Sequence, residues 1–344
     1  MFDDRFNDKE FSVLSLGEVL LRLSPPHKER ILAGEVFEKR AGGSELNVVS
    51  GVSLLGLRTG VITKIPANEI GKYIKNRIRF TGVSDDYIVY DQSKKARLGI
   101  YYYESGATPR KPTVVYDRAD SSFTTLKLEE VPSEVYSKTK VFHVSGITMA
   151  LGEGVRQVTV EMIKRFKQAG ALISFDVNYR ASLWSEEEAR TEIKKILPYI
   201  DLLFVSEETS RRMFQKRGTL SEILKSYSEE YGCKLVAATQ RTVLSPTKHN
   251  WNSMIYCQEE DQFYQEKPYE QIEVVDRIGS GDAYLAGVIF GLIKYNSVEI
   301  ALEYGNAMAA IKNTIPGDMP VSDFQEISKV IKDHKENNTT ELNR

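Results

Sequence analysis

Cysteine is scarce: Cys233 and Cys257 are the only two in 344 residues, and they lack the C-x-x-C spacing of a metal site. A disulfide framework and a thiolate metal cluster are both set aside on that ground. Histidine is almost as rare, and His27, His143, His249 and His334 are scattered without ligand spacing, so no histidine metal centre is expected. No apolar run approaches the ~20 residues of a membrane-spanning helix. Residues Met1 to Glu10 are polar and acidic rather than basic and then apolar, so they do not read as a signal peptide and the expected location is the cytoplasm. An excess of charge is missing too, since the formal net charge is −2 and the two signs are interspersed. Small solutes fit such a chain better than nucleic acid or a membrane surface.

What is present is an alternation. The apolar runs FSVLSL, VITKI, VFHVSGI, ALISFDV, DLLFV and KLVAA are separated by amphipathic stretches such as Gly154 to Ala169 and Ser185 to Leu197. Strands spaced by helices predict a mostly parallel sheet covered on both faces, an α/β fold. The alternation breaks twice, over about 20–40 and 97–118, where Tyr, Val, Pro and Arg recur with period-two character. These pieces are expected to form a small β insertion in a single domain spanning 1–344, and 335–344 is expected to be a flexible tail.

The segment EVVDRIGSGDAYLAGVIFGLI, Glu273 to Ile293, carries the most chemistry. It reads as the end of a strand at Val274 and Val275, a tight turn at Gly279, Ser280 and Gly281, and a buried helix. Backbone N–H groups of such a turn and the positive end of the helix dipole converge on one point, an anion hole fit for phosphate. Asp282 stands within one residue of it, placed to accept the proton of an attacking hydroxyl. The plainer alternative is that Asp282 only caps the helix.

In open parallel sheets ligands bind beyond the carboxyl ends of strands, which is where FDVNYR puts Asn178, Tyr179 and Arg180. Arg118 follows Tyr116 in VVYDRADSS. A guanidinium fork suits a carboxylate, so two such arginines would favour an acidic substrate, while an ordinary surface role would leave the substrate open.

With RAGGSELNVVSGVSLLGLRTGVITKI near the other end, DRIGSGD resembles the paired signatures of the ribokinase-like (PfkB) carbohydrate kinases. GEVLLRLSPP, AGGSELNV, GIYYYE, VVYDRA, HVSGIT, FDVNYRASLW, VVDRIGSGD and TIPGDMP extend the likeness over roughly 11–330 and narrow it to the 2-keto-3-deoxygluconate kinases of that family. The resemblance implies a three-layer α/β/α body whose small β lid covers the sugar and pairs two copies of the chain. It implies phosphorylation of 2-keto-3-deoxygluconate to its 6-phosphate, with ATP and Mg²⁺ as cofactors and a monovalent cation as an optional further one. Gly43, Asn47, Tyr101, Tyr116, Arg118, Asn178 and Arg180 would hold the sugar acid, with Asp282 as base and Gly279, Ser280 and Gly281 as anion hole. Ser206, Thr239, Arg241, Gly281 and Asn306 would line the ATP site, although helix packing explains Asn306 equally well.

The chain departs from the family where many members carry NxxE, because Ser206, Glu207, Glu208 and Thr209 stand there. A helix cap with an acidic first turn is the alternative reading of these four. Other readings remain: a fructokinase or a ketodeoxygalactonate kinase within the class, a dinucleotide-dependent oxidoreductase, or a silent sugar-binding regulator. Against the oxidoreductase, LSLGEVLLRL contains no G-x-G-x-x-G after the first strand. An intact Asp282 argues against the silent regulator.

Overall fold

In a computed structural model, which describes residues 6–336, ten strands make one sheet and four make another. The first sheet is built around β1 (Phe11–Leu16), flanked by β4 (Thr59–Pro66) and then β5 (Ile88–Asp91) on one side. On the other side follow β8 (Thr139–Ser145), β9 (Leu172–Asp176), β10 (Leu202–Phe204) and β11 (Leu235–Ser245). All of these pair in parallel. Beyond β11 the sheet turns antiparallel through β12 (Lys248–Cys257), which carries both β13 (Gln262–Tyr264) and β14 (Tyr269–Glu273). Every described residue of β1 and β4 is buried, as expected of strands covered on both faces.

Side chains alternate across the sheet and supply two cores. Leu202 and Phe204 face one, with Val13 and the helices α1 (Ser44–Leu54), α8 (Ser280–Tyr295) and α9 (Val298–Asn313). Leu203 faces the other, with Leu14, α4 (Glu153–Gln168), α5 (Glu186–Ile196) and α7 (Leu220–Tyr231). α8 is buried almost all round because small residues let α9 approach it closely. A Cβ on Gly287 would strike the backbone of Tyr304, and one on Gly291 the backbone of Ala301.

The second sheet has the order β3-β2-β6-β7, made from β2 (Leu20–Ser24), β3 (Glu38–Gly42), β6 (Gly99–Glu104) and β7 (Thr113–Asp117). Its edge strand β7 is exposed at every residue. Two expectations need correction. Val274 and Val275 follow the strand rather than end it, because β14 stops at Glu273 and Val275 N–H turns away to the Asn313 carbonyl at 2.8 Å. Of the tail expected over 335–344, Lys335 and Glu336 instead close helix α10 (Phe324–Glu336), and 337–344 lie outside the described residues. Among the described residues no helix is long and apolar enough to cross a membrane.

Candidate active site

The site forms where the carboxyl ends of β1, β8 and β9 meet the first turn of α8, under the second sheet. A cavity of about 420 Å³ opens there, and a smaller one of about 200 Å³ adjoins it. Asp176, Asn178, Arg180 and Gly281 line both.

At the α8 turn, Gly279 takes the left-handed conformation at φ 82°, and a side chain there would collide with the Asp318 carbonyl. Ser280 closes the turn by donating its N–H (3.3 Å) and its hydroxyl (2.9 Å) to the Arg277 carbonyl. The first N–H groups of a helix have no carbonyl one turn back, so those of Gly281 and Asp282 stay available at the cavity wall. Nothing lies within 4 Å of where a Gly281 Cβ would be, so a ligand can approach the backbone. Position, dipole and free donors together make this an anion site.

Asp282 lies inside the first turn and is 9 % exposed. Its two oxygens are held separately, one by the Ser44 hydroxyl at 2.8 Å and one by Asn47 Nδ2 at 2.6 Å. Asn178, at φ 36°, donates through Nδ2 to Ser44 Oγ at 2.9 Å and so steadies that arm. Burial raises the pKa of Asp282 above the ordinary carboxylate value, while the two donors and the nearby charge of Arg180 pull the other way. The result is an oriented carboxylate, only partly hydrated, beside an anion hole.

Asp176, at the end of β9, is pushed up to about 7 by burial and then by the charge of Asp282. Glu45 is buried beneath the cavity and accepts from Ser145 N–H (3.0 Å), Ser145 Oγ (2.6 Å) and Thr148 Oγ1 (2.7 Å). Its pKa also rises, chiefly through burial. It therefore ties α1 to the end of β8 and fixes the frame from which Ser44 and Asn47 reach Asp282.

Gly43, Asn47, Tyr101, Tyr116, Arg118, Asn178, Arg180, Arg241 and Gly279 to Asp282 do converge on the larger cavity. Ser206 and Thr239 line the smaller one. Two placements differ from the sequence reading, and a third, Asn306, falls on its packing alternative. Arg118 does not present a free fork, because its Nε (2.9 Å) and Nη2 both donate to Glu18 Oε2. The Tyr101 hydroxyl is committed to Asp318. Asn306 reaches neither cavity: it is fully buried, accepting from Ser253 Oγ at 2.8 Å and donating to Glu266 at 2.7 Å. Ser206 caps the short helix α6 (Glu207–Arg212), accepting from Thr209 N–H at 3.1 Å, while the two glutamates of the turn pair with Arg211 and Arg212.

Sequence reasoning did not single out Ser44, Glu18, Glu45, Asp176 or Asp318. The visible signal was a carboxylate beside glycine or inside an apolar run, as in LGEV and SFDV. Among the described residues Arg180, Arg241 and Arg277 line the cavity without forming an ion pair, although the charge of Arg180 acts on Asp176 and Asp282. Burial, and after it the like charge of Arg277, lowers the pKa of Arg241.

A parallel sheet wound on both faces, with an anion-binding helix start and a carboxylate at the acceptor side, defines a phosphotransferase of the sugar-kinase kind. The chain belongs to the pfkB family of carbohydrate kinases, whose sequence profile matches residues 10–323. A 2-dehydro-3-deoxygalactonokinase of Haloferax volcanii is 33% identical over 320 residues, which is 93% of this chain and 96% of that one. A 5-dehydro-2-deoxygluconokinase of Clostridium botulinum is 26% identical over 336 residues, 96% and 95% of the two chains. The crystal structure of 2-dehydro-3-deoxygluconokinase from Thermotoga maritima superposes with a TM-score of 0.89 at 32% identity, over 94% of this chain and 98% of that one.

Proposed function

We propose that this sugar kinase phosphorylates 2-keto-3-deoxygluconate on its terminal hydroxyl, with ATP as the donor. The observation that carries the reading is Arg180: lining both cavities and committed to no ion pair among the described residues, it gives the acceptor's acid end a planar fork. The Thermotoga structure named above points to the same sugar acid. The Haloferax relative favours a second reading, the galactonate epimer, which the same arginine would hold equally well.

In this reading the four-stranded sheet is a lid over the acceptor, with the Tyr116 ring against the sugar. Gly43, Asn47 and Asn178 line the sugar's side of the cavity. The terminal hydroxyl lies at Asp282. As its oxygen forms a bond to the γ-phosphorus, the bond to the bridging oxygen of ADP breaks and the hydroxyl proton passes to an Asp282 oxygen. The N–H groups of Gly281 and Asp282, backed by Gly279 and Ser280, hold the transferring phosphoryl oxygens. Arg241 and Thr239 hold the rest of the polyphosphate, with Ser206 beyond. Mg²⁺ supplies charge neutralisation on the nucleotide phosphates. Among the described residues Asp176 is the one carboxylate lining both cavities, and it would be the side chain that helps hold the ion beside those phosphates.

Arg180→Ala tests the clamp. The variant should lose at least about tenfold in kcat/KM for the keto acid, equivalent to ~1.4 kcal/mol, with KM for ATP nearly unchanged. Lysine should rescue it in part. An alanine variant that still separates the acid from a neutral analogue as well as the wild type does would rule out the clamp.

A further inference from the structure

A cluster of buried charges lies behind the anion turn, with one of its members, Asp318, also at the wall of the larger cavity. Arg22, in the middle of β2, is 4 % exposed. Its Nη2 meets Asp276 at 2.6 Å, its Nη1 meets Asp318 at 2.7 Å, its Nε donates to Ser24 Oγ at 2.8 Å, and the guanidinium lies 4.3 Å from the Tyr103 ring centroid. Each arm of the fork is therefore used.

One carboxylate leads into the turn and the other packs against it. Asp276 accepts from Ile278 N–H at 3.0 Å and, with its other oxygen, from Gly317 N–H at 3.0 Å. The Asp318 backbone packs against Gly279, where a Cβ would collide with it. Lys312, 1 % exposed, completes the cluster by donating to the carbonyls of Asp276 (3.3 Å) and Ile315 (3.1 Å). Two cations and two anions leave it neutral. Withdrawing Arg22 with its strand would strand two buried carboxylates with one ammonium, a costly imbalance in a dry interior. Burial alone would weaken the charge of Arg22, yet Asp318 and Asp276 outweigh burial and hold its pKa above the ordinary arginine value.

We propose that Arg22 is a positioning residue that couples seating of the four-stranded sheet to the shape of the anion turn, so that the turn is set for phosphoryl transfer only when the sheet is down. The coupling rests on the kinase reading, but its physical basis does not depend on which sugar is bound. Anything that seats the sheet must stabilise the turn, and a phosphate on the turn must favour the seated sheet by the same factor. Acceptor and nucleotide thereby sense one another through Asp318, at the wall of the larger cavity, and Asp276, which lines neither cavity.

The test uses the full chain with Arg22→Met, and with Arg22→Lys as a milder variant that keeps one charge but not the fork. Hydrogen exchange without any ligand should show amides of 278–283 opening about tenfold faster in Arg22→Met, with β1 and β8 unchanged and Arg22→Lys intermediate. Titration of a non-hydrolysable ATP analogue, with and without keto acid, should show a mutual tightening of about tenfold in the wild type that is lost in Arg22→Met. If Arg22→Met does not fold, the lysine variant decides by the same two readouts. Unchanged exchange at the turn overturns the proposal, as does acceleration spread evenly over both sheets, which would mark a merely structural residue. Should the wild type show no keto-acid effect on nucleotide binding, the substrate reading fails, while the ligand-free exchange still decides the role of Arg22.

Discussion

Asp282 is held by one donor on each oxygen, so its replacement by asparagine keeps the shape and removes the base. Asp282→Asn should lower kcat by roughly 10²-fold or more while nucleotide binding, measured by titration, stays intact. Near wild-type turnover would take Asp282 out of the mechanism. Asp176 makes a prediction about pH. Its folded pKa of about 7 stands above the ordinary 3.8, so ionisation costs the folded protein stability. That cost is absent below the ordinary value, grows as pH rises between the two, and is constant above the folded one. Asp176→Asn should therefore gain at least ~1 kcal/mol relative to wild type on going from pH 4 to pH 8, read by urea unfolding. A flat difference would show that Asp176 ionises normally. At this scale the sequence made the glycine turn, Asp282 and Arg180 legible because each sits in a local motif with its own chemistry. It left Ser44, Glu18 and Asp318 hidden, since their roles come from partners 238, 100 and 296 positions away.

Helix α8 shows why the element was easier to read than its start. Its interior had to be apolar and small to lie against α9, and that composition is visible in AYLAGVIFGLI. The beginning depends on contacts of Gly279 with Asp318, which no local pattern announces. Two substitutions separate these demands. Gly279→Ala meets both a positive φ and the Asp318 carbonyl, and should cost about 1–3 kcal/mol of stability while lowering turnover further than stability alone explains. Gly291→Ala, at the other end of the helix, pushes on the backbone of Ala301 and should cost about 1–3 kcal/mol with kcat per folded molecule unchanged. Unfolding curves combined with turnover of the folded fraction make the comparison. Equal effects on turnover would mean that the turn has no special part in the reaction. Strand composition without a pairing partner is not enough: Val274 and Val275 have the composition, but β12 is paired only as far as Glu273.

For the molecule as a whole, the period-two break in the helix–strand alternation pointed to residues that do form a separate sheet, yet its seat on the body rests on Arg22, Tyr101 and Arg118, whose carboxylate partners lie far along the chain. We propose further that the fully exposed strand β7, with Val114 at 39 % and Val115 at 49 %, pairs with a second copy of the chain, as an open apolar edge favours. Light scattering should then give a dimer, reduced to a monomer by Val115→Lys; a monomeric wild type would contradict this. The central claim is that an arginine-lined cavity over Asp282 selects a sugar acid. The most direct measurement is kcat/KM of the purified wild-type protein, with ATP and Mg²⁺, for 2-keto-3-deoxygluconate, its galactonate epimer, fructose and ribose, followed by coupled detection of ADP. The account predicts that a keto acid is preferred over both neutral sugars by at least about tenfold, with phosphate found on the terminal hydroxyl. A protein that prefers fructose or ribose would contradict it.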